Sequence, residues 1–401
     1  GSGARAARSR QLIYDQWSNM EANPIVSAGV TLQVTAALGG HETSGELVFI
    51  ERRPGIEDGD QRARIVDEIR ADLGDLLNRE AFSLAYLGAV YGDAYARIYT
   101  DESGVADLYT GELVRPPLVQ PFERGSRTVG FAVYAGEKNF QRLDSTQMAR
   151  LKMPRTQWVP QHGVVEKSLR MALGADNVDD LPLMPAMVGG SLIYSAEGPY
   201  NDLTASLLGL VGQRWMDSID EQMLVANLAS ITSMLQRSKE IAERAVKGGK
   251  PIMERVRHIM PVSGDKQLTT IQPANGGQSE RASSIGIEDV LLHARLLAGA
   301  IGVDLSMIGF ADQMSGGLGE GGFFRTSAQV AERARTIRVA LAECFNQIID
   351  IHTLRRYGFV FAPSERPWNI NFYGSISALE AEKQRTRAES MNVGLLLAQA
   401  M

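Results

Sequence analysis

The sequence has few of the residues that build disulfides or metal sites. Its 401 residues include a single cysteine, Cys344, so no disulfide can form within the chain, which is typical of a reducing compartment. None of the 5 histidines lies at metal-ligand spacing from another. His41-Glu42 begins like the zinc-protease motif, but Gly45 stands where the second histidine is required. We therefore predict no metal and no other cofactor.

Long hydrophobic runs are also missing. No stretch reaches the ~18 apolar residues that a membrane span needs, and the nearest, residues 181–196, contains Pro182 and Pro185. The first ten residues are small and basic and no apolar run follows them, so no signal peptide is predicted. Because the chain begins Gly-Ser-Gly and ends at Met401 inside a helical pattern, we expect a fragment of a longer protein.

The chain as a whole lacks the basic charge of a typical nucleic-acid-binding protein. Its net charge is −6 and its pI is near 5.6. Residues 231–285 differ, with 9 Lys and Arg against 5 Asp and Glu. The basic side chains singled out there are Lys247, Lys250, Arg255, Arg257 and Lys266. Hydrophobic residues make up 44% of the chain, which allows a sizeable core and about two to three domains.

The hydrophobic periodicity predicts an α+β, helix-rich fold. Helical spacing indicates helices over residues 10–21, 62–87 and 287–301, and another helix begins at Pro24. Between residues 93 and 152 the period changes to two, and short strands alternate with Gly, Pro and Asp turns. Thr326-x-x-Gln329 is a capping box, which predicts that a last long helix begins there. A strand is predicted over the sequence WNINFYG, from Trp368.

The spacing of apolar residues also predicts which face of each helix is buried. The stripe of helix 62–87 is Ile65, Ile69, Leu73, Leu76, Leu77 and Phe82. The stripe of the last long helix is Val330, Ala334, Ile337, Leu341, Phe345, Ile348 and Ile351, with Glu332, Arg335 and Arg338 on its opposite face. The helix that follows Pro199 is so apolar that its own chain or neighbouring subunits must cover several of its sides.

A glycine-rich segment precedes the last long helix. Gly316, Gly317, Gly319, Gly321 and Gly322 lie within seven residues, and Gly317-x-Gly319-x-x-Gly322 matches the dinucleotide-binding fingerprint. That fingerprint requires a preceding strand, whereas a helix precedes it here. A phosphate-binding P-loop would need Lys-Ser/Thr after the glycines, and Phe-Phe-Arg stands there. The glycines instead give backbone freedom, which favours a mobile loop between two rigid helices.

Candidate catalytic residues are scarce. The chain has no Gly-x-Ser-x-Gly nucleophile elbow. Cys344 lies on the apolar stripe of its helix and is interpreted as a small core residue. Asp220 and Glu221 are adjacent on a helix and therefore point to different faces. The sequence therefore predicts a protein that is not an enzyme.

The order of these parts resembles the portal proteins of tailed bacteriophages. YDQWSNMEANPIVSAGVTLQVTAA is similar to their opening helices, and YLGAVYGDAYARIY to their helix-to-strand step. AGAIGVDLSMIGFADQMSGGLGEGG resembles the junction between their stem helix and tunnel loop. INFYGSISALEAEK resembles the strand and helix after the tunnel helix. The likeness covers nearly the whole chain, with one departure at Asp304, where related proteins often have proline.

The resemblance implies a domain organisation. Residues 1–198 correspond to a wing, 199–230 to the first stem helix and 231–285 to a small α/β clip. Residues 286–303 correspond to the second stem helix, 304–325 to the tunnel loop and 326–375 to the long tunnel helix with its return strand. Residues 376–401 correspond to the start of a C-terminal helical crown, most of which is missing from this sequence.

The resemblance also implies a function and partners. Portals form rings of about twelve subunits at one vertex of the capsid in the virion, after assembly in the host cytoplasm. The ring forms the channel through which double-stranded DNA is packaged and later ejected, without reading its sequence. The implied protein partners are the large terminase subunit, the major capsid protein, the scaffold and the head-to-tail adaptor; no membrane partner is implied.

The resemblance assigns residues to that channel. The tunnel-loop candidates are Met314, Ser315, Gly316, Gly317, Leu318, Gly319, Glu320, Phe323, Phe324 and Arg325. The five basic residues of 231–285 would face terminase, adaptor or DNA, although an ordinary solvated module explains them equally well. Two other functions stay open: an enzyme that binds a phosphate or nucleotide at the glycine loop, and a helical scaffold unrelated to phages that oligomerises without enclosing DNA.

Overall fold

The computed structural model describes residues 7–39, 45–136, 139–161, 171–217, 287–308 and 320–374, together with residues 236 and 240. Over these ranges it is a mixed α+β structure with antiparallel sheets, which confirms the predicted fold class. The five basic residues of 231–285 and the tunnel-loop candidates from Met314 to Gly319 lie outside the described residues.

The described helices begin and end at residues that suit helix termini. They are α1 (Arg10–Glu21), α2 (Pro24–Leu38), α3 (Gln61–Tyr91), α4 (Glu197–Asp217), α5 (Ile287–Ile301) and α6 (Glu320–Tyr357). Side chains of Ser9, Asn23 and Asp60 cap the first three by accepting backbone N–H bonds. The predicted bounds of α1 and α5 are confirmed. No helix in these ranges is long and apolar enough to cross a membrane.

The strands form three antiparallel sheets. They are β1 (Val48–Arg52), β2 (Asp93–Asp101), β3 (Gly104–Tyr109), β4 (Val119–Arg124), β5 (Arg127–Tyr134), β6 (Phe140–Asp144), β7 (Met148–Lys152), β8 (Leu183–Pro185) and β9 (Trp368–Phe372). The strand orders are β1-β9, β3-β2-β7 and β6-β5-β4-β8. The pairing of β1 with β9 places Val48 opposite Phe372, which joins the beginning of the chain to the segment that follows α6.

The two larger sheets share an apolar core. Tyr95 and Met148 from the three-stranded sheet pack with Val119, Phe131 and Val133 from the four-stranded sheet, and all five are buried. The rings of Tyr95 and Phe131 meet edge to face, with centroids 5.8 Å apart. This cluster fixes the two sheets against each other.

A buried ion cluster lies beside this core. Asp93 is fully buried, and its Oδ1 accepts hydrogen bonds from Arg150 Nε at 2.8 Å while its Oδ2 accepts from Arg10 Nη2 at 3.1 Å. Burial alone would raise the pKa of Asp93, but the two guanidiniums outweigh it and lower that pKa. Arg150 also donates to Glu123 at 2.6 Å, and Lys152 donates to the same carboxylate at 2.5 Å. The cluster links α1, β2, β4 and β7 through charge.

Three sequence predictions need correction. Phe82 was assigned to the buried stripe of α3, but it is 39% exposed. The buried face contains Leu77, Ala81 and Leu84, so Ala81 occupies the place that was predicted for Phe82. α6 begins at Glu320 and not at the capping box, because two glycines at a helix start cost only about 0.5–1 kcal/mol each relative to alanine and do not prevent the helix from extending through Gly321 and Gly322. Helix α3 also extends beyond its predicted end, to Tyr91, where Gly92 adopts φ +74° and stops it.

The chain divides into two compact units. The first contains residues 1–203 and 292–401, and the second contains residues 204–291. The second unit is therefore inserted into the sequence of the first, and α4 and α5 carry the chain out of the first unit and back into it. Among the described residues, the second unit consists of the continuation of α4, the first residues of α5, and the helical residues 236 and 240.

Candidate functional site

The site predicted from the sequence is the segment between α5 and α6. Its candidates Glu320, Phe323, Phe324 and Arg325 lie in the first turns of α6 rather than in a loop. The backbone freedom that the sequence suggested for them is therefore replaced by helix. What the structure describes of this site is its frame: the end of α5, the turn that follows, a 3-10 helix over Leu305–Ile308, and α6.

A glycine ends α5 and turns the chain. Gly302 adopts φ +87°, a left-handed conformation that residues with a Cβ rarely adopt. Its N–H donates to Ala298 O at 2.9 Å, and the Val303 N–H donates to the same carbonyl at 3.0 Å. Val303 and Leu305 are then buried, which anchors the chain again before the glycine-rich segment begins. The frame on this side is therefore fixed as far as Leu305.

Both helices that bracket the inserted unit expose leucines. Leu207 and Leu208 on α4 are 40% and 59% exposed, and Leu292 and Leu296 on α5 are each 51% exposed. The other face of α5 is buried, from Ala294 through Leu297 and Ala298 to Ile301. An exposed leucine alone is ordinary, but two on each helix leave apolar surface on α4 and, separately, on α5 that a neighbouring molecule could cover.

Two candidate reactive groups in the described residues, the carboxylate of Asp93 and the thiol of Cys344, are not available for chemistry at neutral pH. Both oxygens of Asp93 accept hydrogen bonds, Oδ2 also from Tyr14 OH and the Gly189 N–H, so it has no capacity left as a general base. Cys344 is buried, and burial raises its thiol pKa to about 12, which leaves it a thiol at neutral pH. This confirms Cys344 as a core residue.

A cleft of about 630 Å³ lies where the β4–β5 and β6–β7 turns face α6. Its basic side chains are Arg127, Arg150 and Lys152, and its carboxylates are Glu343 and Asp350. Arg150 and Lys152 are both paired with Glu123, and Asp350 is paired with Arg366 at 2.5 Å. The charges of the cleft are thus largely neutralised by one another, which disfavours a strong anion site. No group of three or more His, Cys, Asp or Glu side chains in the described ranges could hold a metal ion.

Comparison with known proteins gives no family. No protein-family model and no curated protein matches the chain. Among solved structures, the chain is similar to one in the "Virion of native gene transfer agent (GTA) particle", at 14% identity and a TM-score of 0.47, covering 95% of this chain and 90% of that one. It is also similar to one in the "Neck of empty GTA particle computed with C6 symmetry", at 14% identity and a TM-score of 0.47, covering 92% and 85% of the two chains. At this TM-score neither likeness supports a function for this chain.

Proposed function

We propose that this protein is the subunit of a portal ring, through which DNA enters and leaves a phage-like capsid. The role is structural, and we propose no active site. The partners proposed are further copies of the chain, double-stranded DNA bound through its phosphates without base readout, and the terminase, capsid, scaffold and adaptor proteins that the sequence resemblance implies.

The exposed leucines on α4 and α5 are the observation that carries this proposal. Both helices bracket the inserted unit 204–291, which is where the resemblance puts the stem and the clip. In a ring, each subunit presents one such face to the next copy, and a head-to-tail contact of this kind closes into a ring when its rotation allows. The apolar surface left open in the monomer would then be buried between subunits.

The experiment that tests the proposal is negative-stain electron microscopy of the purified protein, with native mass spectrometry as a check. We expect rings of about twelve copies with an open central channel wide enough for duplex DNA. A homogeneous monomer or dimer that binds a nucleotide saturably would contradict the proposal and favour the enzyme alternative. Closed assemblies without a channel would favour a scaffold that does not enclose DNA.

The leucine faces can be tested in the same assay. We expect the double substitution Leu292→Ser with Leu296→Ser to abolish rings, because it removes two apolar contacts from each subunit interface. Leu183→Ser is the matched control, since Leu183 on β8 is 55% exposed but lies on neither bracketing helix. Rings that persist in the double variant would show that these faces are not the subunit contact.

The glycine-rich segment can be tested by deletion. Removing residues 316–322 is expected to leave ring assembly intact and to impair DNA packaging or retention, because the deletion shortens the segment proposed to contact DNA. Loss of the ring itself in this variant would contradict the assignment of the segment as a tunnel loop.

A further inference from the structure

The last turn of α5 receives hydrogen bonds from three other segments. Ser195 Oγ donates to Ala300 O at 2.9 Å, and Arg333 Nη2 donates to the same carbonyl at 3.1 Å. Gln33 Nε2 and Arg333 Nη1 both donate to Ile301 O. These donors come from α2, from the turn before α4, and from α6. We refer to the cluster of Gln33, Ser195 and Arg333 around these two carbonyls as the clasp.

The carbonyls that the clasp binds are ones that no helix can satisfy internally. The last four C=O groups of a helix have no partner within it, and together they carry about half a negative charge. A guanidinium is suited to this end because it is cationic and offers parallel N–H donors. Arg333 therefore performs for α5 the part that a C-terminal basic residue usually performs within its own helix.

Two glycines permit the close approach that the clasp requires. A Cβ on Gly302 would lie 2.8 Å from Arg333 Cζ, which is closer than real contacts allow. A Cβ on Gly29 in α2 would lie 3.1 Å from both Ile301 Cγ2 and Val303 Cγ2. α2, α5 and α6 thus approach one another closely, and a Cβ at Gly302 would require the Arg333 guanidinium to shift.

The clasp connects the two helices that lie on either side of the predicted tunnel loop. Arg333 belongs to the helix that follows the glycine-rich segment, and Ile301 belongs to the helix that precedes it. The guanidinium therefore joins the two supports on either side of residues 309–319. With Val303 and Leu305 also buried, the chain between the clasp and Leu305 is anchored at several points.

We infer that Arg333 is a positioning residue that fixes the last turn of α5 to α6, the two helices that precede and follow the glycine-rich segment. The structural part of this inference stands without the proposed function. Its consequence for DNA, a fixed base beside the segment proposed to contact DNA, rests on that function.

Hydrogen exchange measured by mass spectrometry on the full chain tests the inference directly. In Arg333→Met we expect peptides spanning residues 298–303 to exchange at least about tenfold faster than in the parent, because the last turn of α5 loses two donors and opens more readily. Arg333→Lys, which keeps the charge but lacks the parallel N–H donors of a guanidinium, should recover part of the protection against exchange. Arg335→Met is the matched control, since Arg335 is on the same helix, is exposed, and pairs only with Glu332 among the described contacts.

A second comparison tests the fixed base. Deleting residues 316–322 should leave exchange at residues 298–303 within about twofold of the parent, because the clasp holds α5 regardless of the segment. Faster exchange there after the deletion would overturn the inference, and so would unchanged exchange in Arg333→Met. If Arg333→Met unfolds the whole chain, Gln33→Met removes one clasp donor from α2 and gives the same local readout. All of these outcomes can be read in the absence of rings, so failure of the clasp and failure of the proposed function are distinguishable.

Discussion

Arginine side chains are buried or partly buried in two regions of this molecule, and they donate to different kinds of group. Beside the core of the two sheets, Arg10 and Arg150 share the carboxylate of Asp93. Burial alone would lower the pKa of Arg150, but Asp93, Tyr95 and Glu123 outweigh it and raise that pKa. At the end of α5, Arg333 instead donates to backbone carbonyls, and burial lowers its pKa.

The two regions differ in what is left behind when a contact is lost. Full charges of opposite sign in a low-dielectric interior interact strongly, and a pair that loses one member leaves an uncompensated charge. Carbonyl dipoles offer partial charges only, so removing the arginine leaves unpaired carbonyls and not an uncompensated full charge. Breaking the cluster around Asp93 should therefore cost more unfolding free energy than breaking the clasp. Four substitutions or conditions sharpen this comparison, in order of decreasing effect.

The largest effect is expected for Asp93→Asn. The amide is close in shape to the carboxylate but leaves Arg10 and Arg150 without their shared anion, so the variant should lose about 3–5 kcal/mol of unfolding free energy. Equilibrium denaturation in urea measures this loss. Asp107→Asn is the control, because Asp107 pairs with Arg79 at the surface and should cost at most about 1 kcal/mol. Equal losses in the two variants would show that burial does not set the strength of the pair.

A smaller loss is expected for Arg333→Met. The methionine keeps much of the apolar stem but leaves Ala300 O and Ile301 O with one fewer donor each, which should cost about 1–3 kcal/mol. Urea denaturation again gives the value. A loss as large as that of Asp93→Asn would show that the clasp is as rigid as the ion cluster, and the contrast between the two regions would then fail.

Gly302→Ala should cost about 1–2 kcal/mol, because alanine is strained at φ +87° and its Cβ would contact the Arg333 guanidinium. Gly299→Ala is the matched control three residues earlier. Nothing lies within 4 Å of a Cβ at Gly299, so alanine there should stabilise the helix by about 0.5–1 kcal/mol. Thermal unfolding of both variants measures the difference, and a stabilised Gly302→Ala would exclude close packing at the clasp.

Much of the backbone could be predicted from local patterns. Asn23-Pro24 marked the boundary between α1 and α2, and the period-two stretches located most of the strands. The predicted stripe of α6, from Val330 to Ile351, is buried throughout. Helical periodicity reports on one helix at a time, and it succeeded wherever one buried face decides the structure.

The parts that were missed depend on contacts distant in sequence. Arg338 was assigned to the outer face of α6, yet its Nη1 donates to Ala37 O at the end of α2. The pairs Asp93–Arg150 and Ile301–Arg333 are 57 and 32 residues apart, and no local motif encodes them. A polar residue on a helix face adjoining an apolar stripe could be solvated or could reach another helix terminus, and the sequence alone does not distinguish the two. The only local signal for the clasp was Gly302, which marks a helix end.

The smallest change in unfolding free energy is expected from His352, and it is seen only when the pH is lowered. His352 is buried on α6, and its Nδ1 accepts a hydrogen bond from the Val105 N–H at 3.2 Å, so this nitrogen carries no proton. Burial lowers the pKa of His352 below 6.5, as does Arg356, while Asp72 and Asp101 act in the opposite direction. As the pH falls through 6.5, the unfolded chain binds a proton that the folded chain does not, so unfolding free energy should fall until the lowered pKa is reached.

Denaturation at about pH 7.5 and about pH 5.5 should therefore show a larger loss of unfolding free energy in the parent than in His352→Gln, which cannot titrate. An equal loss in the two proteins would show that other groups cause the acid sensitivity and that the Val105 contact does not hold the imidazole neutral.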